Sequence, residues 1–172
     1  MMQTHFTPFP ELHTERLALR ALVPADAPAL FVLRSDPRIM NFIDRPPAET
    51  IAEVEALMQR IELETAAGKS VFWGMSLKNS PQLIGNISLW NLDPETATAE
   101  LGYVLHPDFW GQGYMQEALV CAVAFGLEVM GARMIEAYLR PGNLRSVRLV
   151  ERNGFRRSRD EDGFWVYGLQ KE

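Results

Sequence analysis

The chain has 172 residues, 47% of them hydrophobic and 23% charged, and carries a formal net charge of −5 at pH 7. That length suffices for one substantial core, and that composition excludes a disordered chain. The acidic balance disfavours nucleic acid as main ligand, and the single cysteine, Cys121, excludes an intrachain disulfide or a Cys-rich metal site.

The opening MMQTHFTPFPELHTERL lacks the apolar core of a signal peptide, and the longest apolar stretch, Ala118 to Leu127, is too short to span a bilayer. A cytoplasmic protein is expected. With no repeat, low-complexity tract or long linker, residues 1–172 read as a single domain.

Along the chain, Arg16 to Leu22 (RLALRAL) places Leu17 and Leu19 on one side and Arg16 and Arg20 on the other, the alternation of a half-buried strand. Asp26 to Arg34 has helical spacing, which Pro37 ends or redirects. Thr50-Ile51-Ala52-Glu53 has the form of a capping box. Ile51, Val54, Met58 and Ile61 then recur at helical intervals up to a stop at Gly68. Strand-like runs follow at 71–77, 82–90 and 97–105, parted by the turn residues Asn79-Ser80-Pro81 and Asn91-Leu92-Asp93-Pro94. From Tyr114 the period is helical again, with Leu119, Ala122, Val123, Leu127 and Met130 on one face and Gly131 as the stop. Residues 134–139 read as strand, 143–152 as a helix closed by Gly154, and the runs around FRRS and FWVYGL as two last strands. The order β-α-α-β-β-β-α-β-α-β-β predicts an α+β fold with one mixed, mostly antiparallel central sheet flanked by helices. The unit from 97 to 139 should cross right-handed and pair its strands in parallel.

Between a strand and a helix lies HPDFWGQG, residues 106–113. Pro107 removes a donor, while Gly111 and Gly113 tolerate positive φ and let a ligand lie against the backbone. The following helix begins with unpartnered N–H groups and the positive end of its dipole, so the turn suits phosphate or pyrophosphate. A Walker-type loop would need Gly-Lys-Ser/Thr, but Tyr114 and Met115 follow Gly113, and the third glycine of a dinucleotide fingerprint is replaced by Gln116. The competing reading is a plain strand-to-helix turn with two convenient glycines.

ELGYVLHPDFWGQGYMQEAL (100–119) resembles the acetyl-CoA-binding segment of the GNAT superfamily of N-acetyltransferases, and more narrowly the RimJ/RimL-type branch. Thr14 to Arg20 is similar to that branch's opening strand. Leu83-Ile84-Gly85 with Ile87 and Leu89 is similar to its third, and Asn143 to Ser146 with Glu151 and Asn153-Gly154-Phe155 to its second cofactor motif. The resemblance implies a GNAT-like fold and acetyl-CoA as cosubstrate. Backbone amides of Gly111, Gln112, Gly113, Tyr114 and Met115 would hold the pyrophosphate, and Val104 and Leu105 would pair with the pantetheine arm by strand addition. Met115 departs from the small residue usual at its position; its side chain either points away or crowds the diphosphate. The implied reaction is direct acetyl transfer to a primary amine, preferably a protein or peptide N-terminus, a ribosomal one included, with a small-molecule amine as alternative. Expected partners include neither nucleic acid nor membrane, and the chain is a monomer or homodimer. A non-catalytic acyl-CoA-binding module is the reading from a different class.

Alternation puts Glu100, Gly102 and Val104 on one strand face and Leu101, Tyr103 and Leu105 on the other. A glutamate in an apolar strand is partly desolvated, which raises its pKa and makes Glu100 the candidate base or amine-binding carboxylate; the alternative is a solvent-facing or ion-paired residue. Asn143 reads as the N-cap of its helix, and the family adds a contact to the cofactor arm or substrate. By the resemblance, Ser146 stands near the cofactor sulfur as general acid, with Tyr138 a weaker candidate. Trp90 and Asn91 lie at a strand end that walls the acceptor site in the family, with Phe42 and Ile43 nearby. Cys121 and Trp73 read as core, and His106 as a structural hydrogen-bonding residue. The arginines from 145 to 159 are a solvated face or a flank that attracts the cofactor's 3′-phosphate. No metal site is expected, since no His, Cys or carboxylates cluster at ligand spacing.

Overall fold

The computed structural model describes residues 1–171. Its centre is an eight-stranded sheet in the spatial order β1-β2-β3-β4-β5-β6-β8-β7. The strands are β1 (Leu12–His13), β2 (Leu17–Arg20), β3 (Val71–Leu77), β4 (Leu83–Asp93), β5 (Thr98–Leu105), β6 (Met134–Leu139), β7 (Arg156–Glu161) and β8 (Phe164–Gln170). Only β5 and β6 pair in parallel; every other neighbouring pair is antiparallel. The expected α+β class and the expected parallel pair are both present. A two-residue strand, β1, precedes the strand expected first.

The helices are α1 (Ala27–Leu33), α2 (Pro37–Met40), α3 (Ile51–Ala66), α4 (Tyr114–Ala124) and α5 (Leu144–Arg152). Pro37 opens a short helix instead of only ending one, because a missing N–H costs nothing at the first helical position. Asp36 caps it, accepting from the Arg38 N–H at 2.9 Å. At α3 the Thr50 hydroxyl accepts from the Glu53 N–H as the capping pattern implies, but the Glu53 carboxylate accepts from the Glu49 N–H, one residue further out. Of the four apolar residues that marked α3, only Val54 is buried, and Ile51 is exposed. The helix beginning at Tyr114 does not run unbroken to Met130: residues 125–129 form a wider π turn, where the Met130 N–H reaches back to the Phe125 carbonyl. This places Phe125 edge-on against Trp73, at 5.4 Å between ring centres.

The main core joins Leu17, Leu19, Trp73, Ile87 and Leu89 to Leu119 and Ala122 of α4 and Val150 of α5. A smaller cluster packs Leu30, Leu33, Met40 and Val54 against Leu83. What matters for function is where the sheet comes apart. β5 and β6 match only at Thr98↔Met134, Ala99↔Ile135 and Glu100↔Glu136. Beyond Glu100, β5 stays with β4 and β6 stays with β8, so the two strands diverge and the sheet opens into a wedge.

Candidate active site

The wedge leads into a cleft of about 1430 Å³. Its floor is the β3–β5 face, one wall is the glycine turn with α5, and the other is formed by α1, the segment after α2, and α3. Which backbone groups face the wedge follows from the register. The His106 N–H donates to the Ile84 carbonyl at 2.8 Å, so Val104, Gly102 and Glu100 turn their main-chain groups toward β4. Tyr103 and Leu105 turn theirs the other way. The Leu105 carbonyl is already taken by the Trp110 indole N–H at 2.8 Å. The expected main-chain pairing at Val104 and Leu105 therefore needs correction. Val104 presents only its side chain, and the groups open to a strand-like ligand arm are the Leu105 N–H and the main chain of Tyr103.

At the mouth of α4, Gly111 and Gly113 have φ of +73° and +82°, a region that side chains with a Cβ adopt at a cost. No atom lies within 4 Å of where a Cβ on Gly111 would stand. The turn is braced from behind by β2 and the segment before it. Arg16 donates to the Gln112 carbonyl at 2.9 Å and to Glu117 at 2.8 Å, and lies 4.2 Å from the Tyr114 ring centre. Glu117 also accepts from the Thr14 hydroxyl and from the Arg16 N–H. Drawing the Gln112 carbonyl backward fixes the orientation of the Gln112–Gly113 peptide. The bracing role of Thr14, Arg16 and Glu117 was not legible in the sequence, because its partners are about a hundred residues apart. The Gln112 side chain itself turns to the Asp108 carbonyl, outside the cleft wall. Met115 is 9% exposed and packs into the main core, while it also lines the cleft.

Glu100 lines the cleft, and no cation lies within salt-bridge distance of it among the described residues. Burial pushes its carboxyl up to about 7, against a hydrogen bond from Asn91 that lowers it, with smaller upward contributions from the charges of Glu136 and Glu161. A carboxyl at that value is poised to take a proton near neutral pH. Asn91 sits with positive φ at a bulge in β4, away from the cleft wall but in reach of Glu100. Trp90 does line the cleft, 41% exposed. A Cβ on Gly102 would come within 3.3 Å of the Trp90 indole nitrogen and 3.1 Å of the Ser88 hydroxyl, so the bare glycine keeps the floor beside Glu100 open.

Asn143 caps α5 by accepting from the Ser146 N–H at 3.3 Å, which aligns Ser146 one turn into the helix and at the cleft. Facing it is a residue that alternation had assigned to the apolar strand face. The Tyr103 hydroxyl is buried without a hydrogen-bond partner among the described residues. Burial pushes it up to about 12, with Ser146 near enough to oppose that weakly. An orphaned hydroxyl lining a cleft is a donor prepared for a ligand atom.

The remaining residues take structural places. The His106 imidazole accepts from the Asp108 N–H, and the Trp73 indole donates to the Pro10 carbonyl. Cys121 is half-buried against the main core. Tyr138 accepts from Arg159 at 2.8 Å at the cleft edge. The C-terminal arginines divide: Arg157 and Arg159 pair with carboxylates, whereas Arg145 and Arg152 line the cleft beside α5. Among the described residues no three His, Cys, Asp or Glu converge as a metal site, and no helix is long and apolar enough to cross a membrane.

A mixed sheet split at a parallel pair, with a glycine turn and helix N-terminus at the split, defines the acetyltransferase class. Residues 16–156 match the family model described as an acetyltransferase (GNAT) domain, and the chain belongs to that family. The uncharacterized N-acetyltransferase YoaA of Bacillus subtilis is 28% identical over 149 residues, covering 87% of this chain and 84% of that one. Among solved structures, RimL in complex with coenzyme A superposes with a TM-score of 0.82 at 22% identity, over 94% of this chain and 98% of that one. Spermidine N-acetyltransferase from Vibrio cholerae, in complex with CoA and spermine, gives 0.78 at 20% identity, over 90% and 95%.

Proposed function

We propose that this GNAT acetyltransferase transfers acetyl from acetyl-CoA directly to a primary amine, preferably the α-amine of a protein or peptide N-terminus. The observation that carries this reading is the Glu100 carboxyl at the wedge, pushed up to about 7 with no cation within salt-bridge distance among the described residues. An α-amine with pKa about 8 costs roughly 1–1.5 kcal/mol to deprotonate at pH 7, whereas a lysine amine costs roughly 4.6 kcal/mol. A carboxylate of that basicity suits the first acceptor far better than the second.

The residues fit the cofactor: Gly111 leaves room above the turn, and the Leu105 N–H and Tyr103 hydroxyl await partners. Bound acetyl-CoA supplies an activated acyl carbon and a thiolate leaving group. The amides of Gly113, Tyr114 and Met115 at the start of α4 hold the pyrophosphate. Glu100 accepts a proton from the amine as the C–N bond forms. Ser146, next to the Tyr103 hydroxyl, returns a proton at the sulfur as the C–S bond breaks.

The test joins calorimetric titration with acetyl-CoA to an assay of thiol release in the presence of unblocked peptides. Saturable binding with release that depends on a free N-terminus is expected. Binding without release for any amine would remove the catalytic reading and leave a CoA-binding module.

A further inference from the structure

The cleft is basic inside an acidic protein. Seven arginines line it against three carboxylates, Asp44, Glu64 and Glu100, in a chain of net charge −5. Arg145 and Arg152 stand on the α5 side, next to the glycine turn, with Arg145 stacked 3.9 Å from the Trp110 ring centre. Two others are already paired, Arg38 with Asp36 and Arg140 with Asp44. That leaves Arg34 at the end of α1, Arg45 in the segment after α2, and Arg60 on α3, all on the opposite wall.

These three are poorly compensated. Among the described residues, neither Arg34 nor Arg45 has a carboxylate within 4 Å, and Arg60 has only Glu64 at 3.9 Å. They are near enough to repel one another: burial first, then Arg45 and Arg60, bring Arg34 down to about 10. It still carries its charge at neutral pH.

A second observation stands on the floor beside them. Ser70, Asn86 and Ser88 are 5%, 6% and 8% exposed and line the same cleft. Ser88 lies opposite Gly102, one step along the same face from Glu100. Guanidiniums on one wall and hydroxyl and amide groups on the floor make the donor set of a carboxylate or phosphate site.

Resting on the acetyltransfer reading above, we propose that the acceptor carries an anionic group close to its amine, a carboxylate or phosphate held by Arg34, Arg45 and Arg60 over Asn86 and Ser88. The amine then points along the floor to Glu100. A polycationic amine is disfavoured by the same charges. The anionic group comes either from a small amino acid or amino phosphate, or from an acidic residue next to a peptide N-terminus.

Matched acceptors separate these sources: O-phosphoethanolamine against ethanolamine, and the peptide amide Ser-Asp-Ala against Ser-Asn-Ala. In at least one pair, kcat/KM should favour the anionic member by tenfold or more. In Arg45→Gln, whose side chain sits at the exposed rim and leaves the fold intact, and in Arg34→Gln, that ratio should fall to about twofold. Acetyl-CoA affinity, measured by calorimetry, should stay within twofold. A parallel titration uses the acetylated products, N-acetyl-Ser-Asp-Ala amide, its Asn counterpart, and N-acetyl derivatives of the two small amines, with CoA-saturated protein. Preferential binding of an anionic product without any turnover would sustain the anion site and sink the catalytic reading. Turnover with no anionic preference in either pair would do the reverse. Weakened acetyl-CoA binding in the arginine variants would assign the cluster to the cofactor and overturn the proposal.

Discussion

On the α4 side of the cleft the ligand-facing groups are largely backbone; on the side of α1 to α3 they are side chains. The glycine turn is held by positive φ at two glycines and braced by Arg16 and Glu117, so its shape is fixed before any ligand arrives. Across from it, α3 buries only Val54 of its marked face, Phe42 is 43% exposed, and among the described residues Arg34 and Arg45 have no carboxylate within 4 Å while Arg60 has only Glu64 at 3.9 Å. A wall made of peptide N–H groups suits a ligand that does not change. A wall made of loosely packed side chains is free to vary with the acceptor without disturbing the sheet.

The sharpest way to break that division is at Glu100, which belongs to neither wall. Glu100→Gln keeps the shape of the floor and removes the base. We expect kcat/KM to fall about 100-fold, at the low end for general base catalysis, with acetyl-CoA affinity unchanged. Unaltered turnover would remove Glu100 from the chemistry.

Ser146→Ala and Tyr103→Phe come next. Each deletes one hydroxyl of an adjacent pair and should lower kcat about tenfold. Groups that act as a unit are non-additive, so the double variant should be no worse than the poorer single one. Multiplying losses in steady-state kinetics would mean that the two hydroxyls act separately.

Gly113→Ala tests the backbone wall alone. Forcing a Cβ into positive φ costs about 1–2 kcal/mol, and here it also meets Arg16 at 3.2 Å. The KM for acetyl-CoA should rise about tenfold while the KM for the amine holds. If both rise together, the two walls are not independent.

The same contrast decides what could be read from the sequence. The elements and the glycine turn were legible because alternation, capping residues and glycines are local signals: Leu17 and Leu19, Thr50, Gly111 and Asn143 each announce their place within a few neighbours. Met115, a departure in the sequence, is mostly buried in the core while still lining the cleft. What escaped depends on contacts between distant segments. Arg16 braces Gln112 across 96 residues, and Tyr103, set by alternation on the face opposite Glu100, meets Ser146 only in the folded chain. Val104 was misassigned for a different reason, since which side a strand residue turns its backbone depends on register with β4. The basic cluster of α1 to α3 was invisible because Arg34, Arg45 and Arg60 are scattered along a chain whose overall balance is acidic.

The smallest effect lies furthest from both walls. Arg159 holds Glu136 at 2.6 Å and Glu161 at 2.6 Å, the two carboxylates whose charges help raise Glu100. As base, Glu100 must be ionised, so activity should rise as pH climbs through about 7. In Arg159→Ala both neighbouring carboxylates keep their charge and lose their counterion. Ionising Glu100 beside them becomes harder, and the rising limb of the kcat/KM profile should move upward by about half a pH unit. At pH 8.5 the variant should match the parent, and at pH 6.5 it should lag, with acetyl-CoA affinity equal at both. A profile that drops uniformly would point to lost packing around β7. An unmoved limb with full activity would mean that solvent screens Glu136 and Glu161, leaving burial and the opposing Asn91 hydrogen bond to set the basicity of Glu100.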